Sequence, residues 1–495
     1  MNQQSRIGNL VNSKIYVLLL FLVSFIFVVL FSRSTSFLYV FEGGDPSVFK
    51  QMGRAVLKGK ILYIDYFDNK GCLLYFIHAL GLWLGGNFAL LFMQACTLTV
   101  TLSIWDKMLA LYHNQRQRMI CLGIALFMLF CFYGAGDQTQ EWCLPFISYP
   151  LLVYLRAYKT NTEIRPLQHL LVGLCFGIIT FIQINNTCAF LGFVAYLWFC
   201  YLLKKDIRKL FASLGYFFIG WLIVAIPCVL YYYLKAGWHG VYEMVYASFL
   251  SNFEYMGHQW KTRWFFVIPY SLFIVSLAVW LCINYRKNKE IIVPSLISIF
   301  LFATTFGRLC NPFYLAALLP LCIIALTSID FSEKRNAKIG IVAMLSVSLA
   351  FYAGNNMKDL IFQNKKQSAI YEQFHQCIEN IPEIERDSIY NYNLYWHGTS
   401  MMEHEKLLPC NRVLFTALVF TLPRLWKEET EKPLIPPKWM LVSFDKSYKA
   451  NDAYFIIENY ELAHSFVYDY ELLQKPKIGE SFQVCLYRRK ALSGQ

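Results

Sequence analysis

Charged residues are scarce in this sequence. Only 16% of its 495 residues are Asp, Glu, Lys or Arg, where a soluble domain carries roughly a quarter. That scarcity excludes an ordinary soluble enzyme and a disordered chain alike. A Cys-x-x-Cys pair is missing, although there are 15 cysteines, so no zinc or dithiol redox motif stands in the chain. Most of these cysteines (Cys96, Cys121, Cys131, Cys175, Cys200, Cys228, Cys282, Cys322) lie inside apolar runs and read as small hydrophobes. Internal repeats and low-complexity segments are absent too. No clear Ala-x-Ala site follows the first apolar run, Ile15 to Leu30, so that run reads as a retained helix.

What is present is apolar surface. Hydrophobic residues make up 57% of the chain, aromatics 18%, and the mean hydropathy is +0.40. Apolar runs fall at about 15–38, 87–112, 118–135, 142–158, 167–184, 187–203, 210–234, 264–284, 291–306, 312–329 and 339–355. Runs near or above roughly 18 residues read as membrane spans. The fold class is therefore a polytopic α-helical membrane protein of about eleven spans. The formal charge of +13 does not call for nucleic acid. The basic residues sit in short loops, such as Arg116 to Arg118, Lys204 to Lys209 and Lys334 to Lys338, where they set topology and meet anionic lipid. Such loops stay in the cytoplasm, and so does the N-terminus. An odd number of spans then puts the C-terminal tail outside a plasma (inner) membrane.

Three loops of interest, 41–86, 136–141 and 235–263, fall on the external side. In the first, Asp45-Pro46 reads as a helix cap followed by Pro at the first helical position. Val48, Phe49, Met52, Val56 and Leu57 form an apolar stripe, with Lys50, Arg54 and Lys58 off it and Gly59 as the stop. This pattern predicts a helix lying in the membrane interface; Leu73 to Leu84 is a second such segment. From about 356 the composition becomes that of a soluble protein, and a small α/β domain is expected over 356–495, beyond a membrane domain over 1–355. Its strands are expected at Trp439 to Phe444 and Ser481 to Tyr487, with a helix at Tyr371 to Asn380.

Asp45 is the first candidate for chemistry. A carboxylate at the outer surface suits a general base or a divalent-cation ligand, although Asp before Pro is also a plain helix cap. Glu42, Asp65 and Asp68 lie nearby, and carboxylates so close must be solvated, paired or metal-bound. Lys70 suits a phosphate headgroup, or simply a lysine reaching for water at the boundary. Glu141, in Gly134 to Pro145 with Asp137, is a second acidic candidate, although a helix N-terminus alone would favour it. Arg308, between two late spans and ahead of Tyr314, needs a partner, and a phosphate oxygen would serve. Trp238, His239, Tyr242, Glu243, Tyr246, Tyr255, His258 and Trp260 in the 235–263 loop read as a lid or an interfacial belt.

The run Asp45-Pro-Ser-Val-Phe, then Gly59 to Gly71 with Asp65, Asp68 and Lys70, then Leu73 to Leu84 resembles the first external loop of GT-C glycosyltransferases. Within them it is similar to the bacterial branch near protein O-mannosyltransferases and the lipid A aminoarabinose transferase. Gly134 to Pro145 resembles that branch's second acidic loop, and Gly307-Arg308 to Pro320 its late Gly-Arg segment. The specific motifs cover about 50 residues. The sequence departs at Cys72, where the family often has Pro, and at Pro312-Phe-Tyr314, where a His-Tyr pair is common. The resemblance implies a GT-C type fold, a polyprenyl-phosphate sugar donor, and an external glycolipid, polysaccharide or protein acceptor. Asp45 and Glu141 would be the catalytic carboxylates and possible metal ligands. Lys70 and Arg308 would bind the donor phosphate, with Asp68, Asp137 and Tyr314 as further contacts to substrate or metal. The cofactor stays open, a divalent cation being one choice. A lipid-sugar flippase or transporter is the competing class, but such proteins place ionisable residues near the bilayer midplane, and here the span centres are nearly free of charge. A polymer ligase or polymerase would carry a large external loop between late spans.

Overall fold

Apolar runs that cannot leave backbone polar groups unpaired in lipid become helices, and helices dominate the computed structural model. It describes residues 3–40, 44–252, 254, 264–285, 288–306, 310–329, 336–391, 395–410, 412–414, 424, 437–444, 460–469 and 481–490. The helices that match the apolar runs are α1 (Gln3–Phe31), α4 (Asn87–Leu109), α5 (Gln115–Phe132), α6 (Thr139–Thr160), α7 (Pro166–Gln183), α8 (Cys188–Leu203), α9 (Ile207–Val245), α10 (Trp264–Asn284), α11 (Lys289–Phe306), α12 (Leu319–Leu326) and the start of α13 (Asn336–Glu379). Two shorter helices, α2 (Gly44–Leu57) and α3 (Cys72–Gly85), belong to the first acidic loop.

Among the described residues, seven helical stretches are long and apolar enough to cross a membrane, against about eleven expected. The difference has particular causes. Helices α7 and α8 join through a 3-10 turn, Ile184–Thr187, and form one 38-residue apolar stretch. Helix α6 carries Glu141, Arg156 and Lys159 and is interrupted by Pro145 and Pro150. Pro312–Leu326 is short. The chain is thus mostly helical and membrane-like.

Helices pack closely where glycine removes the side chain. A Cβ on Gly173 of α7 would lie 1.9 Å from the Phe217 carbonyl oxygen of α9, and one on Gly220 would lie 2.0 Å from the Leu170 oxygen. Gly173→Leu is expected to push α7 and α9 apart and destabilise the fold by about 1–3 kcal/mol. Thermal unfolding in detergent measures it, and an unchanged midpoint would refute the tight crossing.

The two ends of the bundle differ in character. At one end Lys159 lies 4.5 Å from the Tyr112 ring centre, Lys209 pairs with Glu163 at 2.8 Å, and His113 meets the Leu326 carbonyl at 3.0 Å. The acidic loops gather at the other end with the C-terminal unit. That unit holds α14 (Tyr395–His404) and strands β1 (Ile389–Asn391), β2 (Trp439–Phe444), β3 (Tyr460–Asp469) and β4 (Ser481–Arg489). Their order is β1-β2-β4-β3, with β1 parallel to β2 and the other neighbours antiparallel. The expected strands at 439–444 and 481–487 are present, and the expected helix at 371–380 is the end of α13. That helix runs through the expected boundary near 355 without a break.

Two local expectations change. The 235–263 segment is not a loop throughout. After a kink at Ala236 (φ −146°) and Gly237 (φ +62°), the chain stays helical to Val245 and passes through a π-turn, Tyr246–Leu250. Glycine supplies the positive φ of the bend, and Glu243 and Met244 beyond it are buried. Tyr255, His258 and Trp260 lie outside the described residues.

The second change concerns α2, which does not rest on the membrane with its polar face in water. Lys50, Gln51 and Ser47 are fully buried along with Val48, Phe49 and Met52. The apolar side meets α3, where Gly53 packs against His78 and Ala79. The polar side is covered by the C-terminal unit: Gln51 donates to the Thr399 carbonyl at 3.2 Å, and Arg54 pairs with Glu403 at 2.7 Å.

Candidate active site

Asp45 stands in the first turn of α2 and not at its cap. Its side chain is half-buried and makes no hydrogen bond among the described residues, so the capping role is not exercised. Its charged neighbours are Lys70 and Asp68. Burial pushes its carboxyl above the ordinary carboxylate range; Lys70 pulls it back and Asp68 adds to the rise.

The segment that brings Lys70 and Asp68 to Asp45 is a tight turn. Asp65 accepts from the Ile61 amide at 2.7 Å, which accounts for that carboxylate structurally. Tyr63 sits at φ +69°, a conformation uncommon for a large side chain, and its hydroxyl donates to the Lys70 carbonyl at 2.7 Å. The Tyr75 hydroxyl donates to Asp68 at 2.7 Å. Lys70 Nζ donates to Asn69 at 2.6 Å, and the Asn69 carbonyl accepts from Asn252 at 3.0 Å. The Gly71 amide donates to the Ile182 carbonyl at 2.9 Å, and a Cβ there would lie 2.1 Å from the Phe181 oxygen. Glycine at 71 therefore lets the turn seat directly on the end of α7.

The other described candidates have partners of their own. Glu141 lies one residue before the 142–158 apolar run and caps α6: its carboxylate accepts from the Gln138 amide at 2.9 Å. Burial pushes it up to about 8, with Tyr133 and the Gln138 amide opposing. It lines a small cavity with Gln94, Thr97 and Trp142, and no hydrogen bond or ion pair joins it to Asp45. Asp137 is fully buried, 3.0 and 3.1 Å from His78 Nε2 and accepting from Trp142 at 2.9 Å; it locks the second loop to α3. Tyr314 is packed between Phe306 and Phe313, each ring centre 4.5 Å away. Arg308 and Glu42 lie outside the described residues. Among those described, no group of three or more His, Cys, Asp and Glu is placed to hold a metal ion.

Sequence reasoning placed Glu243 in the lid or belt and missed its ion pairs. It is buried yet paired with Arg412 at 3.4 Å and with Arg424, and Arg424 also lies 4.6 Å from the Tyr246 ring centre. The signal was faint: a glutamate one helical turn from His239 in an aromatic stretch.

No known family model matches this chain. No curated protein matches it either. The site therefore rests on its own geometry.

Proposed function

We propose that this chain is a membrane glycosyltransferase. It moves a sugar from a polyprenyl-phosphate donor to a hydroxyl acceptor at the external face of a plasma membrane, with the N-terminus cytoplasmic and the C-terminal unit outside. The observation that carries the reading is Asp45: a half-buried carboxylate with no hydrogen bond among the described residues, with Lys70 and Asp68 as its charged neighbours. A carboxylate left unbonded beside a lysine is poised to take a proton.

In the reaction the acceptor oxygen attacks the anomeric carbon and the bond from that carbon to the phosphate oxygen breaks, with inversion. Asp45 takes the acceptor's proton, and the polyprenyl phosphate leaves as an anion. Lys70 and Arg308 offset that charge, each on the order of 3 kcal/mol in a water-poor site. The leaving group is already charged, so no general acid is needed. Glu141 assists this step or holds a cation. The grouping of basic loops at the opposite end of the bundle supports the orientation.

The test is transfer from a labelled polyprenyl-phosphate-sugar extract by membranes carrying wild type or Asp45→Asn at matched expression. Lost transfer with retained donor binding supports the reading. Equal transfer by both removes it. Lipid-sugar movement across the bilayer without transfer would point to the flippase alternative.

The pH profile gives a second check. Because burial raises Asp45, the base form is lost on acidification at a higher pH than for an ordinary carboxylate. Lys70→Met removes the charge that opposes this rise, so the acid limb of kcat/KM moves further up. Asp68→Asn removes a charge that adds to it, so the limb moves down. Limbs that stay put in both variants would mean that Asp45 is not the titrating group.

A further inference from the structure

We propose that Arg412 is a positioning residue that holds the 61–71 turn, and with it Lys70 and Asp68, against Asp45 on α2. The inference rests on the reading of those three charges as the reacting group. It gives the C-terminal unit a role in assembling the site.

One stretch of that unit touches both arms of the site. Its α14 side grips α2, the helix that carries Asp45. Ser47 meets Ser400 at 3.1 Å, Gln51 donates to the carbonyls of Thr399 and Leu407 at 3.2 and 3.4 Å, and Arg54 pairs with Glu403 at 2.7 Å. The segment just after α14 grips the turn. The Tyr66 hydroxyl donates to the Pro409 carbonyl at 2.8 Å, and the Phe67 amide donates to the Arg412 carbonyl at 2.7 Å.

The Arg412 guanidinium completes the grip. It donates to the carbonyls of Ile64 at 3.0 Å and Tyr63 at 2.9 Å and reaches Glu243 of α9 at 3.4 Å. A planar fork of donors can serve two carbonyls and a carboxylate together, and an ammonium cannot do so in the same geometry. Its target matters because Tyr63 holds a positive φ of 69°. Such a conformation persists where surrounding bonds over-determine it. The Tyr63 hydroxyl in turn holds the Lys70 carbonyl at 2.7 Å. Arg412 is therefore joined to Lys70 through one residue whose backbone is under strain.

The experiment uses the full chain in detergent or nanodiscs and compares wild type, Arg412→Ala, Arg412→Lys and Tyr63→Phe. Tyr63→Phe cuts the link at the hydroxyl and leaves the guanidinium bonds in place, so it stays informative if Arg412→Ala folds poorly. Two quantities are read. Amide hydrogen exchange over 61–71 is expected to rise about tenfold in Arg412→Ala, with α7 unchanged, and Arg412→Lys restores little of the protection. The acid limb of transfer is expected to shift in Arg412→Ala and in Tyr63→Phe, as the turn that sets the charges around Asp45 moves away from it. Unchanged exchange in Arg412→Ala overturns the inference. Full protection in Arg412→Lys also overturns it, since charge alone would then suffice. A fall in transfer with an unmoved acid limb overturns it as well, because Arg412 would be acting on substrate directly. If wild type shows no transfer, the exchange result still decides whether Arg412 holds the turn, and the glycosyltransfer reading falls alone.

Discussion

Asparagine at position 45 is expected to cut transfer by a factor of about 10²–10⁴, the range for loss of a general base, while the fold stays intact. The second half of that expectation comes from the geometry. Among the described residues the Asp45 carboxylate makes no hydrogen bond, and it is half-buried, so an amide of the same shape leaves none of their groups without a partner. Burial already disfavours the charge there, which makes a neutral side chain easier to hold. The structural losses are the attraction to Lys70 and the favourable placement of a negative charge in the first turn of α2, the latter about 0.3–1 kcal/mol. A merely structural Asp45 would thus give a small shift in unfolding temperature and normal transfer. Normal stability with lost transfer is the opposite pattern, and thermal unfolding measured beside transfer separates the two.

The second large effect belongs to Asp137, where alanine and asparagine should part company. His78 Nδ1 lies 2.7 Å from the Leu74 carbonyl, which can only accept, so Nδ1 carries a proton. Nε2 then faces the Asp137 carboxylate with one proton between them, and Trp142 donates to the same carboxylate. All of this lies at 0% exposure for His78 and Asp137. Asp137→Ala strands both nitrogen groups in the interior, and breaking a buried pair costs about 3–5 kcal/mol. Alanine also meets the positive φ of 58° at this position, which asparagine tolerates far better. In Asp137→Asn the amide oxygen still accepts from Trp142, and the amide nitrogen donates to a neutral His78. The expected cost falls to about 1 kcal/mol. Unfolding midpoints for the two variants check this. A stable Asp137→Asn protein with no transfer would instead give Asp137 a direct role in the chemistry.

These residues mark what was legible in the sequence. Apolar runs exposed most of the helices, because lipid leaves the backbone no other choice. Trp439 to Phe444 and Ser481 to Tyr487 read as strands from their composition, whereas Tyr460 to Asp469, with glutamate and histidine along it, did not. The helix at 44–57 was legible from its stripe. The burial of its polar face was not, because the residues that cover it lie about 350 positions away, as the Gln51–Thr399 and Arg54–Glu403 bonds illustrate. The spacing of acidic residues pointed to Asp45, Asp68 and Lys70 as a group. The same reasoning named Glu141, and the fold bonds it to the Gln138 amide at the start of α6. Glu243 read as part of a loop, whereas the helix continues past a bend at Gly237 and buries it, so its pairing with Arg412 and Arg424 was not legible.

Helix α13 has a mechanical consequence. At 44 residues it is roughly 66 Å long, about twice the thickness of a bilayer's hydrocarbon core. A domain on a flexible tether samples a wide volume above the membrane, but a unit on such a post keeps one height and one heading. Anything it works on must come within reach of that fixed platform, and a change in helix tilt, as between thinner and thicker bilayers, would swing the platform as a whole.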